Sequence, residues 1–114
     1  MQTRKLETNE WGSYFDRASK ELTTRTVSIE VASLAIGDQI EVETVQLRGL
    51  TYDHKDDIFE VSTSAVDHMI DHPAEIYVQE SAAGLESVEV VQTNDTRQII
   101  KLSEPLRLPS HASS

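Results

Sequence analysis

Residues 46–61, QLRGLTYDHKDDIFEV, read as a β-hairpin. Leu47, Leu50 and Tyr52 lead into a polar tip, Asp53-His54-Lys55-Asp56-Asp57, and Ile58, Phe59 and Val61 lead out. A tip of about four or five residues is within the usual range for hairpin loops. Aspartates suit it because they hydrogen-bond nearby backbone and tolerate left-handed conformations. The remaining elements are placed by packing them on this ribbon.

Upstream, Ile40 and Val42 share one strand face and Glu41 and Glu43 the other. The phase then slips, with Val45 and Leu47 at odd positions and Leu50 and Tyr52 at even ones. Strand faces persist only while the period is two, so bulges are expected near Thr44 and near Arg48-Gly49. A long strand bent in this way suits a curled sheet or small barrel. Before it, Val27, Ile29 and Val31 alternate with Ser28 and Glu30, which predicts a strand over 26–33, followed by a turn at Gly37-Asp38. Trp11, Phe15, Ala18 and Leu22 recur at helical spacing, which predicts a helix over 9–23 capped by Asn9 or Thr8. Trp11 and Phe15 could form an aromatic binding stripe or the face that pins the helix to the sheet. Burying each is worth about 1.5–3 kcal/mol, which favours packing.

Downstream, residues 58–63 return as a strand. Ala65, Val66, Met69 and Ile70 then fall on one side of a short helix, Ser64 with Asp67 resembles a capping box, and Pro73 ends the helix near His72. Strands are expected over 75–80, 85–91 and 97–102, with turns at 81–84 and 93–96. The reading is an α+β domain over 1–109 with a frayed tail at 110–114. An N-terminal helix packs on a strongly bent, mostly antiparallel, small-barrel-like sheet of about six strands.

The 114 residues carry 20 acidic and 10 basic side chains, for a net charge of −10. Phosphate binding draws on clustered Lys and Arg, so neither nucleic acid nor an anionic membrane is an expected partner. No run approaches the ~20 apolar residues of a membrane helix, and no apolar core of a signal peptide follows the first five residues. The absence of cysteine excludes disulfides and thiolate chemistry and fits a cytoplasmic setting.

The segments GDQIEVE at 37–43, LRGLTYDHKDDIFEV at 47–61, DHMIDHPAEIYV at 67–78 and RQIIKL at 97–102 resemble a family of small bacterial proteins known as a domain of unknown function, family 5335. The resemblance spans residues 3–109 and implies a self-contained domain without assigning it chemistry. In element order the chain is also similar to the Sm-type small barrel. That likeness implies rings and RNA binding, and the charge opposes the RNA.

Three constellations bear on function. In Asp67-His68-Met69-Ile70-Asp71-His72 a helix would put His68 and His72 on one face, where with Asp71 they could hold a transition metal. Met69 stands where a zinc protease needs its general-base Glu, so a solvated polar face is the simpler reading. At the hairpin tip, Asp53, His54, Asp56 and Asp57 lack calcium-loop spacing and read as turn chemistry. Asp53 with Tyr52 and His54 would make a proton relay only if sunk in a cleft. Glu30, Glu41, Glu43 and Glu89 lie on the expected outer strand faces, where they could form an acidic stripe for a basic partner; a solvated sheet face is the simpler reading. No cofactor and no catalytic residue is assigned. The expected role is a non-enzymatic interaction or accessory protein, self-associating through a sheet edge or an apolar helix face or bound to a protein partner. The alternative is a metal-dependent or acid–base enzyme using residues 67–72.

Overall fold

In the computed structural model the described residues are 2–23, 27–34 and 40–107, with backbone alone for 23, 31–34 and 40–43. The expected tail at 110–114 and the Gly37-Asp38 turn lie outside them.

Alternation of apolar residues produces strands β2 (Val27–Leu34), β3 (Ile40–Asp53), β4 (Ile58–Thr63), β6 (Pro73–Ser81), β7 (Gly84–Gln92) and β8 (Arg97–Leu106). Two further strands, β1 (Gln2–Lys5) and β5 (His68–Asp71), bring the sheet to eight. The order is β1-β6-β7-β8-β2-β3-β4-β5 and every pairing is antiparallel. The fold is therefore α+β as expected, with a bent sheet; among the described residues it has two more strands than read from the sequence and does not close, so β1 and β5 are its edges. The concave face is occupied by helix α1 (Trp11–Ser19), whose aromatic side chains take the space that a closing pair of strands would enclose.

The expected helix over 64–72 is corrected to a loop and the short strand β5. Ile70 is buried while Met69 and Asp71 are exposed, a period of two rather than a helical stripe. Asp67 caps no helix. Its Oδ1 accepts from the Thr63 N–H at 3.1 Å, while Thr63 Oγ1 donates to the Val66 carbonyl at 2.7 Å and accepts from the Ala65 N–H at 3.2 Å. Side-chain bonds of this kind compete with helix for the same backbone groups. β1 escapes the sequence because all four of its side chains are exposed. Main-chain pairing to β6 holds it, with Lys5–Glu75 at 3.1 Å and Arg4 between Glu10 and Glu80. Of the two expected bulges, the register shift between Leu47 and Gly49 is present. The one near Thr44 is not: β2 and β3 pair without interruption from Val27↔Leu47 to Leu34↔Ile40.

The hairpin tip behaves as its aspartates require. Asp53 Oδ1 accepts from the Lys55 and Asp56 N–H groups at 2.9 and 3.4 Å, and Asp57 is left-handed at φ 54°. The helix is α1 with a single 3-10 turn at each end, Thr8–Glu10 and Lys20–Thr23. Its cap lies one residue before Thr8: the Glu7 N–H donates to Glu10 Oε2 at 2.9 Å, a bond that, with Arg4 nearby, holds the Glu10 carboxyl below the usual carboxylate range.

Trp11, Tyr14, Phe15 and Ala18 are all buried, so the aromatic face is packing and offers no free apolar helix face. Phe15 meets Phe59 of β4 edge-on at 4.8 Å and Trp11 meets Tyr52 of β3 at 5.0 Å. The Tyr14 hydroxyl donates to Glu80 of β6 at 2.5 Å; burial, then this bond, raises the phenol's pKa far above its ordinary value. The helix ends on β3, where Ser19 Oγ accepts from the Leu50 N–H at 3.0 Å and donates to the Leu50 carbonyl at 2.9 Å. Ser19→Ala leaves both groups without these bonds, and urea denaturation should show a loss of about 1–3 kcal/mol.

β5 and β6 lie far apart in the sheet order yet only His72 separates them in the chain. The sheet therefore curls until its β5 end reaches the β6 side.

Candidate functional site

The corner around His72 gathers three turns. His72 is left-handed at φ 51°; its N–H donates to the Asp57 carbonyl at 2.9 Å and its carbonyl accepts from the Thr93 N–H at 3.1 Å. The side chains repeat the link. Asp57 Oδ1 accepts from the Tyr52 hydroxyl at 2.7 Å and Asp57 Oδ2 lies 3.2 Å from His72 Nδ1. A phenol–carboxylate–imidazole chain does form, through Asp57 and His72 rather than Asp53 and His54.

Its electrostatics describe a structural clasp. Burial, then the bond to Asp57, pushes the Tyr52 phenol up to about 12, so it stays protonated and acts as a donor at neutral pH. The Tyr52 hydroxyl, then His72, holds the Asp57 carboxyl below its usual range. The His72 ring is 67% exposed, outside any cleft that would desolvate it. A carboxylate that titrates lower in the folded state contributes stability above its unfolded pKa of about 3.9 and loses it as pH falls through the folded value. Asp57→Asn keeps a residue tolerant of positive φ. Urea midpoints followed by circular dichroism should therefore differ most between the native protein and the Asp57→Asn variant above about pH 4, and converge as the pH falls through the lowered folded-state value.

The other expected residues do not converge. On β5, His68 is half-buried and Asp71 exposed, while Asp67 is spent on Thr63. Among the described residues no three His, Asp or Glu side chains are placed to hold a metal ion. His54 lines a separate pocket of about 290 Å3 with Thr8, Asn9, Gly12, Ser13 and Tyr52. Of the four glutamates that could have formed an acidic stripe, Glu89 is paired with Arg97 at 2.6 Å, Glu30 lies opposite Lys101, and the side chains of 41 and 43 are outside the description.

The outward surface of β5 and of the loop before it escaped the sequence reading. Val66 and Met69 are 66% and 57% exposed, the two large hydrophobic residues that stand out in solvent among those described. The Asp57–His72 main-chain bond sets the alternation of the β4–β5 ladder, so Phe59–Ile70 and Val61–His68 are the next hydrogen-bonded pairs. The main-chain groups of Met69 and Asp71 then point away from β4. Gln92 Nε2 donates to the Asp71 carbonyl at 2.9 Å, leaving Met69 at the open edge. Residues directly opposite share a sheet face, so Glu60 lies beside Met69, and Asp53, Ile58 and Asp71 form the adjoining row. Among the described residues none of these three carboxylates has a Lys or Arg partner.

A short helix clasped in one open antiparallel sheet, with an acidic, methionine-bearing edge, defines a small α+β protein. It belongs to the family of unknown function DUF5335, whose profile matches residues 2–111. An uncharacterized protein of Aquifex aeolicus (strain VF5) is 43% identical over 110 residues, covering 96% of this chain and 99% of that protein. No solved structure matches the chain.

Proposed function

We propose that this protein acts by binding another protein rather than by catalysis, and that the β5 edge is its contact surface. The observation that carries this reading is the exposure of Met69, and of Val66 in the loop just before it, at an edge whose outward main-chain groups no strand takes up among the described residues. Burying a side chain of this size on contact is worth about 1.5–3 kcal/mol, and an open edge supplies directional bonds as well. The net charge of −10 supports a protein partner over nucleic acid or an anionic membrane. No helix among the described residues is long and apolar enough to cross a membrane. The cysteine-free composition supports a cytoplasmic setting for the interaction.

A photo-activatable amino acid at position 69, with position 94 as control, tests the reading in cells. A discrete protein adduct from position 69 alone is expected. No adduct, or equal labelling from both positions, overturns it.

The competing reading, a metal-dependent or acid–base enzyme using residues 67–72, makes a different forecast. Ligands bound by the native state raise its melting midpoint. Zinc or nickel in large excess is expected to leave the midpoint unchanged. A rise abolished by His68→Ala or His72→Ala would restore the metal site.

A further inference from the structure

Resting on the reading of β5 as a contact surface, we infer that its occupant is an extended, cationic segment of a partner protein, added to the sheet as a ninth strand. Three features point to that chemistry. Met69 presents its main chain at the open edge, which an extended segment satisfies with ladder bonds. Met69 and Asp71 face the same side, two residues apart, so an incoming strand meets them with alternate side chains. Asp53, Glu60 and Asp71 cluster on that side without basic partners among the described residues. A Lys or Arg opposite Asp71, with an apolar residue opposite Met69, complements the edge.

A second copy of this chain fits less well. Two antiparallel strands related by a two-fold axis keep the same face up, so the pairing must centre on a residue. Centred on Met69, it sets Asp67 against Asp71 of the other copy, and like charges directly opposite are unfavourable. Centred on Ile70, it sets Asp71 against Met69 of the other copy, which leaves the carboxylate without a cation. The other edge, β1, offers no cationic match, because Arg4 and Lys5 are already held by Glu10, Glu80 and Glu75.

The test uses the whole protein, 15N-labelled, and three blocked seven-residue peptides: alternating Lys-Val, alternating Glu-Val and alternating Lys-Pro. The last keeps the charge but cannot donate a full ladder. Lys-Val is expected to shift amide resonances centred on 68–71, with neither control doing so. Glu60→Gln with Asp71→Asn should weaken that binding on the order of tenfold, as should raising the salt from low to high. Equal shifts by Lys-Val and Glu-Val at 68–71 would overturn the cationic assignment while keeping β5 as a contact surface. Shifts by Lys-Val and Lys-Pro alike, or spread away from β5, would reduce the effect to diffuse charge and overturn the strand. No shift at millimolar peptide, with cross-linking from position 69, overturns this inference alone; no shift and no cross-link overturns both.

Discussion

Replacing Phe15 by alanine is expected to cost about 3–5 kcal/mol, which is a large share of the stability of a domain this size. The ring is fully buried and sits 4.8 Å from Phe59 and 5.0 Å from Tyr14, so truncation removes contacts with both α1 and β4. The helix has nine residues, too few to persist without tertiary packing. Loosening it also frees Trp11 from Tyr52, so near-ultraviolet dichroism should weaken together with the urea midpoint. A loss below about 1 kcal/mol would show that the helix does not seal the concave face.

The second large effect is expected at Gly84, the first residue of β7. It adopts φ +128°, and an added Cβ would lie 2.2 Å from the Leu106 carbonyl oxygen and 2.7 Å from its carbon. Both are backbone atoms of β8, so relief requires the β7–β8 ladder to part. Gly84→Ala combines backbone strain of about 1–3 kcal/mol with overpacking of similar size. Gly12 is the internal contrast: a Cβ there meets nothing within 4 Å, and Gly12→Ala in α1 should stabilise by about 0.5–1 kcal/mol. Paired thermal melts should therefore move in opposite directions. A Gly84→Ala protein as stable as the native one would contradict the close approach of the two strands.

What could be read from the sequence follows from how many buried residues report on each element. The β3–β4 hairpin was legible because Leu50, Tyr52, Phe59 and Val61 give repeated samples of a period of two around an aspartate-rich tip. Helix α1 was legible because Trp11, Tyr14, Phe15 and Ala18 fall on one stripe. β5 has one buried residue, Ile70, and one residue carries no period; Ala65, Val66, Met69 and Ile70 fit helical spacing equally well. β1 has none. The link between Asp57 and His72 joins residues from different turns through left-handed backbone, and neither residue type announces the other. The contact surface was hidden for a related reason: as a helix, residues 64–72 would have turned Val66 and Met69 inward, and as loop and edge strand they face out.

The single residue between β5 and β6 divides the molecule in a way that bears on how it assembles. β2 to β5 form one meander and β6 to β8 another, each made of strands adjacent in the chain. The two meet along the β2–β8 seam, while β1, from the other end of the chain, clips to β6. Contacts between sequence-distant strands carry the larger loop-closure cost. Each half can therefore zip locally, and docking of the halves along the seam is expected to be the slow step of folding, with His72 as the tether that keeps them within reach.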